Sequence, residues 1–242
     1  MDVKKMKEIL AKNSQTKSKK IDTKNIYWKP PVGKKTIRVI PSAFNPDNPF
    51  TELKVNYALN KSLLSLETFG EKDPIVEFAK SLRKTNDKDS WKSAKQLDHK
   101  TRIFLPVIVR GEENEGVKLW QFGKEVYMKF LNFADNEDIG DFTDIINGRD
   151  FEIITVGPES TGTQYNKSDV QPKMKTSPLS EDAVLVEKWL KDQPNPIEQF
   201  KRYTFEEIKQ MLQDWLGGED EEDEEEPVKE HSNIKNLFKD DE

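Results

Sequence analysis

The side chains best suited to hold a ligand are basic residues interleaved with aromatic ones. They fall in two strand-like segments and one polar stretch: Lys100, Arg102, Phe104 and Arg110; Lys118, Trp120, Phe122 and Lys124; and Tyr165, Lys167, Lys173 and Lys175. Lys118, Trp120 and Phe122 alternate, so one face of a strand would carry all three. Aromatic rings stack on unpaired bases, each stack being worth about 1–3 kcal/mol, while lysines follow the phosphates. The pattern therefore favours a surface for single-stranded nucleic acid.

Two of these aromatic residues have an equally ordinary structural interpretation. Trp120 and Phe122 at alternate strand positions are also typical of a hydrophobic core, and the sequence leaves both alternatives open. Tyr165 differs, because Asn166, Lys167 and the residues around them are too polar to bury its ring. We therefore expect Tyr165 to be exposed and to contact the ligand.

Composition excludes most catalytic chemistry. The chain has no Cys and only two His, His99 and His231. Disulfides, thiolate metal sites and cysteine nucleophiles are therefore excluded, and a zinc site built from histidines is almost excluded. No phosphate-binding loop or hydrolase motif occurs. A group of acids could hold magnesium in a nuclease, but its spacing matches no known metal-binding loop: Asp135, Glu137, Asp138, Asp141 and Asp144. We expect no enzymatic activity, no metal and no cofactor.

Charge divides the chain into three regions. The first 40 residues hold 12 basic and 3 acidic residues, whereas residues 217–242 hold 12 acidic and 3 basic ones. Blocks of like charge are usually disordered interaction segments. We predict a basic N-terminal arm over 1–24, a folded body over 25–216 and an acidic C-terminal tail over 217–242. The body would meet a polyanion, and the tail could compete for the same surface.

The sequence shows no sign of a membrane or export signal. Its lysine-rich start contains no uncharged apolar run of the length a secretory leader needs. No stretch approaches the roughly 18 apolar residues of a membrane span. We therefore expect an intracellular protein with no membrane partner.

Apolar periodicity predicts a mainly β fold with helical insertions. Strands are predicted over Lys35–Ile40, Phe50–Leu59, Leu63–Thr68, Thr101–Arg110, Val117–Phe122 and Phe151–Val156. Helices are predicted over Asp73–Lys84, around Trp91, and over Gly123–Phe133, Ser180–Lys191 and Thr204–Leu216. The segment Gly157–Pro178 is predicted to be a basic loop. Because no regular helical crossovers separate the strands, a small, partly open barrel fits better than a doubly wound sheet.

At these residues the chain resembles the single-stranded DNA-binding, helix-destabilising proteins of T-even-type bacteriophages. Three segments carry the resemblance: TIRVIPS at Thr36–Ser42, NEGVKLWQFGK at Asn114–Lys124, and Gly148–Val156 with the loop around Tyr165. The order of basic arm, core and acidic tail is also that of the family. The resemblance implies an oligonucleotide-binding (OB-fold) barrel with helical additions and disordered tails.

The resemblance also implies a function and roles for particular residues. Arg38 takes the place of an arginine that contacts the DNA backbone, Phe104 and Trp120 those of aromatic residues in the binding cleft, and Tyr165 that of the loop tyrosine. Such a protein coats single strands cooperatively during phage replication, recombination and repair, in the cytoplasm of the host cell. The basic arm would bind the neighbouring copy through Lys4, Lys5, Lys17, Lys19 and Lys20. The acidic tail would recruit replication and recombination proteins and shield the cleft.

The chain departs from the family at two places. Well-studied relatives carry a zinc subdomain with a Cys-x-x-Cys pair where this chain has Asp73–Lys84. We predict that no zinc is bound and that Ile75, Phe78 and Leu82 pack in its place. The compact basic motif of the arm has its nearest match at Thr16–Lys20, further from the start than in the family.

Three other functions remain as alternatives. The chain could be an adaptor that binds protein partners through its charged ends, which would bury Trp120 and leave the protein indifferent to oligonucleotides. It could be a magnesium-dependent nuclease that uses the acids at 135–144. It could also be an OB-fold protein that binds RNA, because stacking and charge do not distinguish the sugar.

Overall fold

The strands of the protein form one mixed sheet. In this computed structural model residues 26–218 are described, and eight strands lie within them: β1 Tyr27–Trp28, β2 Gly33–Val39, β3 Thr51–Asn56, β4 Leu63–Leu64, β5 Lys100–Val109, β6 Lys118–Phe122, β7 Arg149–Val156 and β8 Lys167–Thr176. The order across the sheet is β1-β6-β5-β2-β7-β8, with β3 pairing to β5 and β4. β1 runs parallel to β6, whereas β2 is antiparallel to both β5 and β7. Because the described strands at the two ends of this order do not pair, the sheet is not a closed barrel.

The helices start where the sequence offers a capping side chain or a glycine. They are α1 Pro74–Lys84, α2 Lys88–Gln96, α3 Lys124–Ala134, α4 Pro158–Thr161, α5 Ala183–Lys191 and α6 Phe205–Gly218. Asp73, Asp87 and Asp182 each accept two backbone N–H groups at the start of a helix. None of the helices in the described part of the chain combines the length and apolar character that a membrane crossing requires. The predicted combination of strands and inserted helices is observed, but the described helices hold about as many residues as the strands, so the fold is not mainly β.

Chain contacts divide the described residues into two units, and the first contains most of the sheet. It comprises 26–53 and 101–199. Alternate residues of β2, β5, β6 and β7 point into an apolar cluster whose largest members are aromatic. Phe130 of α3 is fully buried, and its ring lies 5.0 Å from that of Phe151 and 5.8 Å from that of Phe122. Aromatic packing thus holds α3 against the sheet.

The second unit comprises 54–100 and 200–218, and helices dominate it. Ile75, Phe78 and Leu82 of α1 are buried in one apolar cluster with Ile208 and Leu212 of α6. Within each helix these positions follow the spacing of an amphipathic helix. The burial of Ile75, Phe78 and Leu82 is therefore observed, and their replacement of a zinc subdomain stays a prediction.

A buried carboxylate ties the start of α1 to the preceding turn. Asp73 accepts hydrogen bonds from the Ser65 hydroxyl at 2.7 Å, the Leu66 backbone N–H at 3.0 Å and the Ile75 backbone N–H at 2.9 Å. Its carboxylate oxygens are therefore satisfied although the residue is buried. The predicted N-cap is confirmed.

The prediction of a basic loop between Gly157 and Pro178 is wrong. Its first part contains the short helix α4, and its second part is the ten-residue strand β8, which pairs antiparallel with β7. Only Val170 of β8 is buried. A strand at the end of the sheet order is held by its backbone ladder and needs few apolar side chains, so β8 has no apolar alternation for a sequence to reveal.

The predicted return strand over Leu63–Thr68 is only partly observed. Leu63 and Leu64 alone form β4, and a 3-10 helix over Leu66–Phe69 follows, capped by the Ser65 side chain. The N-terminal arm and nearly all of the acidic tail lie outside the described residues, as do Lys4, Lys5, Lys17, Lys19 and Lys20.

Candidate nucleic-acid interface

A cleft in the first unit brings several of the predicted binding residues together. It has a volume of about 510 Å³. Its walls come from the chain after β1, the end of β6, the start of α3 and the chain entering β8: Lys29, Pro30, Trp120, Gln121, Phe122, Gly123, Glu125, Val126, Tyr165, Asn166, Lys167 and Ser168. Lys29 and Lys167 are exposed. The cleft thus combines aromatic side chains with cations.

The loop that carries Tyr165 is held by hydroxyl groups. The Thr163 hydroxyl donates to the Tyr165 carbonyl at 2.9 Å. Gly162, with φ of 63°, ends α4 in the left-handed region that glycine adopts readily. The Tyr165 side chain is 76% exposed. The expected exposure is therefore observed, and contact of this ring with a nucleic acid stays a prediction.

Trp120 and Phe122 belong to the hydrophobic core. Trp120 is 2% exposed, and its ring packs edge-on against Trp28 at 5.4 Å and against Phe122 at 4.7 Å. Of the two alternatives that the sequence left open, the structure shows the core one. Phe104 is also fully buried and is absent from the cleft lining, so its predicted place there needs correction. Trp120 and Phe122 form part of the floor of the cleft, and because both are buried neither offers an open stacking face.

Arg38, expected to contact the DNA backbone, is buried instead. β2 lies between β5 and β7, so both its edges are covered, and Arg38 is 0% exposed. Its guanidinium donates to Asp150 at 3.3 Å and, at 2.8 Å each, to the backbone carbonyls of Asp144 and Ser177. Burial lowers the pKa of Arg38, and the Asp150 carboxylate opposes that shift. The arginine therefore joins β2 to β7 and to the chain leaving β8.

Arg110 has a similar structural role. It donates to the Asp150 carboxylate from two nitrogens, at 3.0 Å and 2.9 Å, and to the Leu179 carbonyl at 2.9 Å. The Arg110 guanidinium thus binds Asp150 and the chain beyond β8, and its predicted contact with a nucleic acid stays a prediction. Arg38 and Arg110 together share one carboxylate.

The predicted lysines differ in what they contact. Lys118 is buried, and its Nζ lies 2.8 Å from Glu115. The prediction that Lys118 lies on an exposed binding surface is therefore wrong. Lys167 Nζ lies 3.1 Å from Glu125 across the cleft, and Lys173 Nζ lies 3.5 Å from Glu152.

The remaining predicted cations lie outside the cleft lining. Lys173 and Lys175 are exposed near the end of β8, where its pairing with β7 is irregular. Lys124 is exposed in the first turn of α3. Lys100 is exposed and Arg102 half-buried at the start of β5.

Sequence reasoning missed the part of the cleft that precedes β2. Lys29 and Pro30 line it because β1 pairs in parallel with β6, which places Trp28 opposite Trp120. The run WKPP was the available signal, since two prolines hold the chain extended after an aromatic residue. Gly123 also lines the cleft, so the start of α3 is turned toward it. The partial positive charge of a helix N-terminus favours phosphate there.

Two of the acids considered for a nuclease site accept hydrogen bonds within local turns. Asp144 accepts from the backbone N–H groups of Ile146 and Asn147, at 2.7 Å each, and these bonds lower its pKa. Asp141 accepts from the Thr143 hydroxyl at 2.7 Å. Within residues 26–218 no group of three or more His, Cys, Asp or Glu side chains is placed to hold a metal ion.

Comparison with protein-family models gives a match over most of the chain. The model of a family described as gp32 DNA binding protein like matches residues 32–217. That range includes the cleft except for Lys29 and Pro30. No curated protein matches the chain.

Proposed function

The chain belongs to the family of gp32-like DNA-binding proteins, and from that membership we propose that it binds single-stranded DNA in the cleft beside Tyr165. The observation that carries the proposal is an exposed aromatic ring at the rim of a cleft whose other exposed residues include Lys29 and Lys167. A tyrosine ring with this exposure has one face available for an unpaired base. The lysines are placed to follow the phosphates on either side of that base.

The mechanism we propose depends on stacking and charge, not on reading base edges. Every base has a π-face, so a ring such as Tyr165 accepts any of them. Bases in a duplex are already stacked and paired, and a protein that binds only the open strand shifts the melting equilibrium by mass action. Trp120 and Phe122 make the floor beneath the DNA rigid, because both are packed against Phe130.

An ion pair crosses the proposed binding path. Lys167 and Glu125 lie on opposite sides of the cleft, 3.1 Å apart, and both side chains are more than half exposed. An exposed pair of this kind contributes about 0–1 kcal/mol and opens readily. A phosphate would replace the Glu125 carboxylate as the partner of Lys167. Glu125→Gln is therefore expected to strengthen DNA binding, whereas Glu159→Gln, outside the cleft lining, should not.

The wider function we propose follows the family. The basic arm of one molecule would bind the next along the strand, and the acidic tail would recruit replication and recombination proteins and compete with DNA for the cleft. The sheet of the first unit would be a partly open OB-fold core. Helices α1, α2 and α6 would replace a zinc subdomain, an idea supported by the apolar cluster around Phe78 and Leu82. Stoichiometric zinc in purified protein would contradict this last proposal.

The main experiment measures binding of a fluorescent oligothymidine by anisotropy at several salt concentrations. A protein ending at Gly218 keeps α6 whole and removes competition from the tail. Tyr165→Ala should weaken binding about 5- to 150-fold, the loss of one base stack. Tyr165→Phe should bind like the parent, because it keeps the ring.

Met174→Ala is the matched control. Met174 is 86% exposed on β8 and has no aromatic ring, so its removal should leave binding unchanged. Affinity should fall with salt at a logarithmic slope of about −0.7 per phosphate neutralised. If the protein ending at Gly218 does not bind the oligothymidine at low salt, the proposed function is wrong.

A further inference from the structure

Trp91 of α2 is the most exposed tryptophan of the protein. It is 52% exposed, whereas Trp28, Trp120 and Trp189 are buried and Trp215 is partly buried. A tryptophan side chain is large and apolar, and leaving half of it in water forfeits the free energy of its burial. Tryptophan is enriched among the residues that carry most of the energy of binding interfaces, so Trp91 is a candidate contact residue.

The same face of α2 carries three lysines. At 3.6 residues per turn, Lys88, Trp91, Lys92 and Lys95 fall within an arc of about 100° on the helix surface. Ala94 is buried on another side of the helix and belongs to the apolar cluster of the second unit. We call these four residues the Trp91 face. It points away from the packing that holds the helix in place.

In the described residues, the acids near the Trp91 face pair with only one of its lysines, Lys92. Asp87 accepts from the backbone N–H groups of Asp89 and Ser90 as the N-cap of α2. Asp98 binds Arg83 at 2.7 Å, and Asp89 binds Lys92 at 2.7 Å. Within residues 26–218, Lys88 and Lys95 make no ion pair.

A contact within the face does not explain the exposure of the ring. Lys95 Nζ lies 5.5 Å from the centre of the Trp91 ring. A cation–π contact at an exposed site is worth about 0.5–1 kcal/mol, less than burial of the indole would give. The lysine can leave the ring for a phosphate, which frees a face of the indole for a base.

We propose that the Trp91 face is a second site for single-stranded nucleic acid, in the helical unit and additional to the cleft beside Tyr165. One base stacks on Trp91, and Lys88 and Lys95 bind phosphates on either side of it. The two lysines are seven residues apart, about 10.5 Å along the helix axis. This inference rests on the proposed function, since it assumes that the protein binds single strands.

Tryptophan fluorescence of the full-length protein tests the site directly. Because the other indoles are buried or partly buried, a long oligothymidine should quench mainly the emission of Trp91. Trp91→Phe keeps a stacking ring, so it should retain most of the affinity while most of the quenching disappears. Trp91→Ala should weaken binding of the same oligothymidine about 5- to 150-fold.

Charge gives an independent measurement. Replacing Lys88 and Lys95 together with Gln should make the logarithmic salt slope shallower by about 1.4, or 0.7 for each phosphate that is no longer neutralised. The matched controls are Lys61→Gln, an exposed lysine of the same unit, and Phe44→Ala, an exposed ring of the other unit. Neither should change the slope or the affinity.

The outcomes separate this inference from the proposed function. If Tyr165→Ala weakens binding and Trp91→Ala does not, the Trp91 face is not a DNA site and the cleft stands. If neither change has an effect, both ideas fail. If Trp91→Ala binds like the parent while removal of 219–242 alters Trp91 emission without DNA, the face holds the chain's own acidic segment and the inference is overturned.

Discussion

Replacing Arg38 should destabilise the protein, because the side chain is buried in structural contacts. The fully buried guanidinium donates to the backbone carbonyls of Asp144 and Ser177, to the Ser177 hydroxyl and to the Asp150 carboxylate. Arg38→Met keeps much of the volume and removes every donor. Asp150 would still be paired with Arg110 at 2.9 Å, so its charge would not be stranded.

The cost of that change comes from the lost hydrogen bonds of the guanidinium. The Asp144 carbonyl keeps the Gly148 backbone N–H at 2.9 Å, whereas the Ser177 carbonyl loses the Arg38 donor. A hydrogen bond to a charged group contributes about 1.5–3 kcal/mol and an acceptor left without a partner costs about 1–3 kcal/mol, so we expect Arg38→Met to lower the free energy of unfolding by about 2–4 kcal/mol. A typical domain has about 5–15 kcal/mol in total, so the variant would lose a substantial part of its stability.

Urea denaturation followed by circular dichroism measures the destabilisation, and the same strand provides a control. Lys34 of β2 is well exposed, and its Nζ lies 3.5 Å from Glu152. An exposed pair of this kind is worth about 0–1 kcal/mol, so Lys34→Met should change stability little. The reasoning is refuted if Arg38→Met is as stable as the parent within 1 kcal/mol (about the error of the comparison) and binds DNA tenfold more weakly. Arg38 would then act on the ligand.

Three further changes test other parts of the structure. Gly148→Ala should lower the free energy of unfolding by about 1–3 kcal/mol, because the added Cβ would clash with the Asp144 backbone carbonyl and with Arg38 Nη2. An unchanged midpoint of urea denaturation would contradict this prediction. Thr204→Ala should lower the free energy of unfolding by about 1 kcal/mol, because the Thr204 hydroxyl accepts a hydrogen bond from the Glu207 backbone N–H. Thr204→Ser keeps a hydroxyl at this position and should be as stable as the parent. Burial, and then the hydrogen bond to Glu52, raises the pKa of Tyr127 to about 12. Its neutral form therefore adds stability below pH ~10, and this stability is lost as pH rises toward 12. When tyrosine ionisation is followed by absorbance during titration with base, Tyr127→Phe should lack the most alkaline step.

Local signals predicted α1 correctly, because the causes of that helix lie next to one another in the chain. Asp73 and Pro74 fix its start, and the spacing of Ile75, Phe78 and Leu82 gives one apolar stripe. Tyr165 was predictable for the same reason, since its polar neighbours leave nothing to bury the ring. In both cases residues within a few positions determine the outcome.

The burial of Arg38 could not be predicted from the sequence. Its partners lie 106 to 139 positions away, at Asp144, Asp150 and Ser177. An arginine between apolar residues of a strand looks like a surface cation until the strands on both sides are known. The pairing of β2 with β7 places Arg38 opposite Asp150, and that register is a property of the whole sheet.

The aromatic residues of β6 illustrate a different limit. Alternation predicted correctly that Trp120 and Phe122 share a face, but it could not say whether that face meets water or protein. The answer depends on Phe130 of α3, whose ring lies within about 6 Å of both. Of the residues that line the cleft, Tyr165 and Lys167 were predicted from the sequence. Lys29 was not, because its position in the cleft depends on the parallel pairing of β1 with β6.

The position of β8 at the end of the sheet has a consequence for self-association. A strand at this position presents backbone N–H and C=O groups that another molecule could extend by one more strand. Lysines along such an edge resist that addition, because two copies would bring like charges together. Lys173 and Lys175, which are exposed on β8, would therefore oppose the growth of one sheet into the next. Variants that replace them with Val or Ile would lack this protection and should aggregate on storage, whereas Gln variants would keep the edge polar.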